Sequence, residues 1–79
     1  MRYSVETKLP TTKVIEEVRS YFIDNFGLKT TSEAENRLCL EGGGGYVTIL
    51  LCPGARTSVE IETRELDRAV KEFMERIRR

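Results

Sequence analysis

The chain has 79 residues, with 13 basic and 13 acidic side chains and no histidine. A chain of this length forms one small domain, residues 1–79, and its balanced charge gives no general attraction for nucleic acid or anionic lipid. The missing histidine disfavours catalysis and metal binding, because imidazole is the side chain most often used for proton transfer near neutral pH and a common metal ligand. The apolar runs are too short to span a bilayer, and residues 1–4 have no signal-peptide character. We therefore expect a cytoplasmic protein without a cofactor or a metal.

The first two elements are predicted from residue periodicity. The opening residues alternate, which places Tyr3 and Val5 on one face of a strand. After Pro10, apolar side chains recur at helical spacing until Gly27 supplies a stop signal. The first helix is therefore expected over about residues 11–25. Its apolar positions are Val14, Ile15, Val18, Tyr21, Phe22 and Phe26.

The middle of the chain predicts a meander of strands. Residues 28–32 favour a short edge strand, since they are rich in threonine and include a lysine that discourages pairing with other chains. Four consecutive glycines, 42–45, separate two strand-like runs at residues 37–41 and 46–52. A Pro-Gly turn then leads into a last alternating run at residues 57–63.

The glycine run also predicts the register of the sheet. If residues 42–45 form the loop, Glu41 faces Tyr46, and the aliphatic side chains of both strands share one face. Carrying that face across the next turn predicts further pairs, which are Leu51 with Thr57, Ile49 with Val59 and Val47 with Ile61. The predicted fold is α+β: one five-stranded antiparallel sheet in the order 1-5-4-3-2. Both helices should cover the face of Tyr3, Val5, Val47, Ile49, Val59 and Ile61.

A last helix is predicted at the end of the chain. Thr63 can cap it, Glu65 suits the positive end of its dipole, and Arg78 and Arg79 suit the negative end. Apolar residues recur at steps of four, three and four, so one stripe faces the core. This stripe consists of Leu66, Val70, Phe73 and Ile77, flanked by Ala69 and Met74.

The predicted order of elements is strand, helix, four strands, helix. In this order the chain resembles the half-domain of the TATA-box-binding protein and the shorter relatives of the helix-grip ligand-binding folds. The resemblance covers the whole chain and rests on topology, with no family motif to carry over. It implies a sheet curled around a long C-terminal helix. The helix-grip resemblance also implies an alternative function, the binding of a small apolar ligand between sheet and helix at Leu66, Val70 and Phe73.

The sheet face away from the helices is the predicted functional surface. It has an apolar centre within a polar border, which is the ordinary anatomy of an interaction patch, although scattered apolar exposure is also common on antiparallel sheets. We therefore expect a non-catalytic interaction module that forms a homodimer or binds a protein partner. The predicted contact residues are Tyr46, Leu50, Cys39, Thr48, Glu60 and Glu62.

Other chemistries have less support. The glycine run lacks the Gly-Lys-Ser/Thr ending and the following helix of a phosphate loop, so it is better explained as a mobile hairpin tip. Cys39 and Cys52 should lie about 13 Å apart at ~3.3 Å per residue, too far for a disulfide, and are expected to be free thiols.

Acidic side chains on the same face suggest a third hypothesis, a small enzyme using Glu or Cys, or a divalent-cation site. Solvated carboxylates are the more common explanation for such a set. The same acids disfavour nucleic acid, because a DNA-binding sheet needs basic residues and apolar wedges. The residues concerned are Glu6, Glu41, Glu60 and Glu62.

Overall fold

A computed structural model describes residues 1–78 and contains one five-stranded antiparallel sheet. The strands are β1 (Arg2–Thr7), β2 (Lys29–Ala34), β3 (Arg37–Gly42), β4 (Gly45–Cys52) and β5 (Thr57–Arg64). Their order is β1-β5-β4-β3-β2, and every neighbouring pair is antiparallel. The predicted α+β fold and strand order are confirmed. Arg79, predicted to suit the end of the last helix, lies outside the described residues.

The glycine hairpin has the predicted register. Glu41 faces Tyr46, and the ladder continues to Arg37 opposite Leu50. The turn is tighter than the predicted four-residue loop, because Gly42 and Gly45 pair with each other and belong to the strands. The two central glycines both have positive φ, 59° and 82°, as a two-residue turn of the I′ type requires.

The register between β4 and β5 differs from the prediction by two residues. Leu51 faces Val59, Ile49 faces Ile61 and Val47 faces Thr63. A shift of two keeps every side chain on its predicted face, so alternation alone could not detect the error. The observed register buries Thr57, whose hydroxyl donates a hydrogen bond to the carbonyl oxygen of Leu9 at 2.7 Å.

The first helix runs from Thr11 to Phe26, one residue beyond the predicted end. Its α-helical part, Thr11–Val18, continues through a π-helical stretch, Arg19–Ile23, into a last turn, Asp24–Phe26. The predicted stop is confirmed, since Gly27 has a φ of 68° and its N–H donates to Ile23 O. Phe26, the last of the apolar positions at helical spacing, is 45% exposed. Its ring nevertheless stays beside the other aromatic residues of the helix, with its centroid 5.6 Å from that of Tyr21 and 6.2 Å from that of Phe22.

The C-terminal helix, Asp67–Ile77, begins later than predicted. Thr63 does not cap it but lies in β5, buried, where its hydroxyl donates to the carbonyl oxygen of Tyr46 at 2.8 Å. Glu65 is not in the first turn either, because it has a positive φ of 72° that reverses the chain ahead of the helix. The acidic residue in the first turn is Asp67, which accepts a 2.7 Å hydrogen bond from the hydroxyl of Tyr3.

One continuous core fills the space between the sheet and the helices. The sheet face predicted to be covered is confirmed, since Tyr3 is partly buried and its other predicted members are buried. Aromatic rings join the two helices, with the ring centroids of Phe22 and Phe73 5.3 Å apart. The side chains of the core without any solvent exposure include Leu38, Leu40, Val47, Ile49, Val59, Ile61, Val70 and Phe73. The helices therefore cover one face and leave the other to solvent.

Candidate functional site

The sheet face opposite the helices is the candidate functional site, which we name the open face. Alternation along β4 places four side chains in its central column, at Tyr46, Thr48, Leu50 and Cys52. Cross-strand pairing adds the side chains of the other four strands to the same face. These are Arg2, Ser4, Glu6, Lys29, Ser32, Ala34, Arg37, Cys39, Glu41, Ser58, Glu60, Glu62 and Arg64.

Leu50 is an exposed large apolar side chain in the central column of the open face. It is 46% exposed and lies between Arg37 of β3 and Glu60 of β5 in one cross-strand row. A shallow depression of about 70 Å³ lies beside it and is lined by Arg2, Thr48, Leu50, Glu60, Ile61 and Glu62. Pockets for small molecules commonly reach ~300–1,000 Å³, so this depression suits contact with side chains of a macromolecule better than an enclosed ligand.

A short polar network fixes the side chain of Tyr46. Its hydroxyl donates a 3.0 Å hydrogen bond to Glu62 Oε2, and the other carboxylate oxygen of Glu62 lies 3.4 Å from the Arg2 guanidinium. The hydrogen bond to Glu62, followed by desolvation, raises the pKa of Tyr46 above its ordinary value of 10.0. The phenol is therefore neutral near pH 7 and is held against β5, where it presents a fixed aromatic surface.

The two cysteines are free thiols, as expected. Cys52 is exposed at the end of β4, and Cys39 is partly buried on β3. The hydroxyl of Thr48 lies 3.7 Å from Cys39 Sγ and donates toward it. Cys39 is therefore a side chain of the sheet surface that packs against its neighbour on β4.

Five charged side chains of the open face have no ion-pair partner within residues 1–78: Lys29, Arg37, Glu41, Glu60 and Arg64. All five are exposed. By contrast, Glu62 pairs with Arg2, and Glu6 lies 3.8 Å from Arg56. The open face therefore combines charges that are neutralised locally with charges that are not.

The six predicted contact residues all lie on the open face, and the structure brings Tyr46 into contact with Glu62 and Thr48 into contact with Cys39. Sequence reasoning missed Arg64, which faces Tyr46 in the ladder. The reason was the expected start of the last helix at Thr63. The alternation of β5 contained the missing signal, because it continues past Glu62 to Arg64.

The residues predicted for an apolar ligand are separated by the structure. Val70 and Phe73 have no solvent exposure and pack within the core, whereas Leu66 is partly buried. Leu66 lines a surface cleft of about 210 Å³ together with Phe26, Glu65, Arg68, Ala69 and Glu72. Any ligand in that cleft would contact Leu66 without reaching the other two residues.

Neither a metal centre nor a membrane span is found in residues 1–78. No group of three or more Cys, Asp or Glu side chains there could hold a metal ion. Within the same residues, each helix is too short or too polar to cross a bilayer. No protein-family model matches this chain, and a search of curated proteins finds no match either.

Proposed function

We propose that this protein is a non-catalytic interaction module that self-associates through the open face around Tyr46 and Leu50. The observation that carries the proposal is the exposure of Leu50 at the centre of a sheet face that the helices do not cover. Antiparallel sheets commonly leave one face to solvent, and that face is then mainly polar. An aliphatic residue and a partly buried aromatic residue in its central column favour contact with another macromolecule.

The charge of the open face favours a second copy of the chain as the partner. Its basic residues are Arg2, Lys29, Arg37 and Arg64, and its acidic residues are Glu6, Glu41, Glu60 and Glu62. A face with equal numbers of both signs has no preference for a strongly charged partner such as nucleic acid or an anionic lipid surface. It can, however, complement itself, as the surface of a two-fold homodimer must.

The size of the open face also suits a small homodimer. Five strands about 4.8 Å apart, each about 20–26 Å long at ~3.3 Å per residue, give a projected area of roughly 500 Å². Side chains roughen that area, so the accessible surface approaches the ~800 Å² per partner of a standard interface. For a chain of 79 residues, such a contact would add substantially to the small amount of apolar surface buried by folding alone.

Sedimentation velocity of the wild-type protein and two matched variants tests the proposal. The wild-type protein should sediment as a dimer at micromolar concentration. Leu50→Lys should shift it toward the monomer, because each dimer would bury two lysines at the centre of the contact. Phe26→Lys is the control, since Phe26 has nearly the same exposure, 45% against 46%, but lies on the helical side.

Circular dichroism and thermal unfolding should first show that both variants are folded. Tyr46→Glu, which places a carboxylate beside Glu62, should also dissociate the dimer. A wild-type protein that is monomeric up to several hundred micromolar would contradict the proposal. So would a dimer that Leu50→Lys leaves intact.

The cleft beside Leu66 has about three times the volume of the depression on the open face, 210 Å³ against 70 Å³, and favours a second candidate function, the binding of a very small apolar ligand. The exposed ring of Phe26 and the partly buried side chain of Leu66 give this cleft an apolar wall. Native mass spectrometry of the protein purified under gentle conditions should then show a bound small molecule, and Leu66→Glu should abolish the adduct. An adduct unchanged by Leu66→Glu would place the ligand elsewhere.

A further inference from the structure

We infer that two copies of this chain stack face to face about a two-fold axis parallel to β4, with Arg37 of each copy opposite Glu60 of the other. This inference rests on the proposed self-association and specifies its geometry. It is carried by the positions of the four charged residues that lie on β3 and β5, on either side of β4, and have no ion-pair partner within residues 1–78.

The four unpaired charges on β3 and β5 alternate in sign around the central column, whereas the fifth, Lys29, lies on the edge strand β2. In the row of Leu50, β3 carries Arg37 and β5 carries Glu60. In the row of Tyr46, the signs are reversed, with Glu41 on β3 and Arg64 on β5. Within one copy, the two charges of a row lie on either side of β4, about 10 Å apart at ~4.8 Å per strand, and no ion pair joins them.

A two-fold axis parallel to β4 places each of these four charges opposite a charge of the other sign in the second copy. Rotation by 180° about an axis between two stacked sheets exchanges the two sides of β4, so β3 of each copy lies over β5 of the other. Arg37 then faces Glu60 of the second copy, and Arg64 faces Glu41 of the second copy. Stacked sheets lie about 10 Å apart, a gap that the long arginine and glutamate side chains can bridge from both sides.

The same axis places each side chain of the central column opposite the same residue of the second copy. Leu50 meets Leu50 of the second copy, and Tyr46 meets its own equivalent. These contacts bury the exposed apolar surface of Leu50 at the middle of the interface, surrounded by ion pairs, which is the arrangement of a hydrophobic core within a polar rim. Strands related by this axis are nearly aligned, as in the common packing of two sheets at about −30°.

One competing arrangement also pairs opposite charges. A two-fold axis perpendicular to β4 and passing over Thr48 would place Arg37 opposite Glu41 of the second copy and Glu60 opposite Arg64. The cross-strand row that contains Thr48 distinguishes the two axes, because Arg2 and Glu62 lie in that row. The perpendicular axis stacks each of these residues on its own equivalent, which sets like charges against each other. The parallel axis places Glu62 over Cys39 and Arg2 over Ser32, with no like charges facing.

Charge-swap variants measured by sedimentation test the parallel axis. Arg37→Glu should weaken the dimer at least about tenfold, because two ion pairs become two repulsive contacts. Adding Glu60→Arg should restore the dissociation constant to within a few-fold of wild type. The matched control is Arg37→Glu with Glu41→Arg, which has the same charge composition but should weaken the dimer further. All three positions are exposed and unpaired in residues 1–78, so the fold should tolerate the changes.

The outcomes separate this inference from the proposed function. Rescue by Glu60→Arg supports the parallel axis, whereas rescue by Glu41→Arg would overturn it in favour of the perpendicular one. A dimer that Leu50→Lys dissociates but Arg37→Glu leaves unchanged would also overturn it, while leaving self-association through the open face intact. A wild-type protein that is monomeric would contradict both this inference and the proposed function.

Discussion

Gly45 shows how closely the backbone is packed where β4 meets the end of β5. A Cβ atom at this position would collide with the carbonyl oxygen of Arg64 and approach Glu65 Cβ to 3.0 Å. The obstacle is backbone, so it cannot rotate away as a side chain could. The glycine is thus required by a contact distant in sequence, in addition to any role in the turn.

We expect Gly45→Ala to lower the free energy of unfolding by about 2–4 kcal/mol, because β4 and β5 must separate to admit the methyl group. Urea unfolding measures the loss. Gly27→Ala is the control, since it has open space around it and only a positive φ of 68°, and should cost about 1 kcal/mol. Equal losses in the two variants would contradict the steric explanation.

The three tyrosines should make the stability of the fold depend on pH in the alkaline range. Hydrogen bonds to carboxylates raise the pKa of Tyr3, through Asp67, and the pKa of Tyr46, through Glu62. Burial raises the pKa of Tyr21. In each case the folded state holds the phenolic proton more tightly than the unfolded state does, so the stabilisation is complete below pH 10 and is lost as the pH rises through the folded pKa.

The ultraviolet absorbance of tyrosinate should therefore rise with a midpoint above pH 10.0 in the folded protein and near pH 10.0 in denaturant. The free energy of unfolding should decline over the same range. Tyr46→Phe should make that decline shallower, because it removes one of the phenols that bind their protons more tightly when folded. A folded midpoint at or below pH 10 would contradict the hydrogen bonds described for Tyr3 and Tyr46.

The hairpin of β3 and β4 is the element whose conformation depends most on its own sequence. Its two central glycines have positive φ, and nothing lies within 4 Å of a Cβ placed on Gly43 or Gly44. Asparagine followed by glycine is the preferred pair for a turn of this type. The second glycine of the tetrad thus lies at a position where another residue is tolerated.

Gly43→Asn should stabilise the protein by about 0.5–1 kcal/mol, because asparagine adopts the required φ and restricts the unfolded chain. Gly43→Val is the matched comparison and should destabilise it, since a β-branched residue is strained at a φ of 59°. Thermal unfolding of both variants provides the measurement. Stabilisation by valine would show that the turn is not of this type.

At the scale of the whole molecule, the two free thiols can be used to distinguish the two possible dimer axes. Cys52 lies in the central column, so an axis parallel to β4 brings the two Cys52 side chains to either side of the axis. The two Cys39 side chains are then offset by two strand spacings, about 10 Å sideways, in addition to the ~10 Å between the sheets. An axis perpendicular to β4 would reverse this, with Cys39 over Cys39 and Cys52 far apart.

A short bis-maleimide should therefore cross-link dimers of Cys39→Ser, which keeps Cys52, and should leave Cys52→Ser mostly uncross-linked. The products are separated by denaturing electrophoresis. Dilution to a concentration at which the protein is monomeric should abolish the cross-link. Efficient cross-linking through Cys39 alone would indicate the perpendicular axis.

Alternation along the strands was sufficient to predict which side chains form the core and which form the open face. Side chains on a strand have a period of two, so the assignment of Leu50, Tyr46 and Glu60 to one face does not depend on neighbouring strands. The register of β3 with β4 also followed from the sequence, because the two strands are joined by a short turn that only glycine-like residues can form.

Only the tertiary structure decided the register of β4 with β5, the start of the C-terminal helix and the exposure of Phe26. A two-residue slip preserves alternation, and the observed register is the one in which the hydroxyls of Thr57 and Thr63 donate to the carbonyl oxygens of Leu9 and Tyr46, which are distant in sequence. Thr63 and Arg64 belong to β5 instead of the helix start. Local patterns specify the faces of strands and the tight turns, whereas contacts between distant segments determine where each element begins and the register between strands.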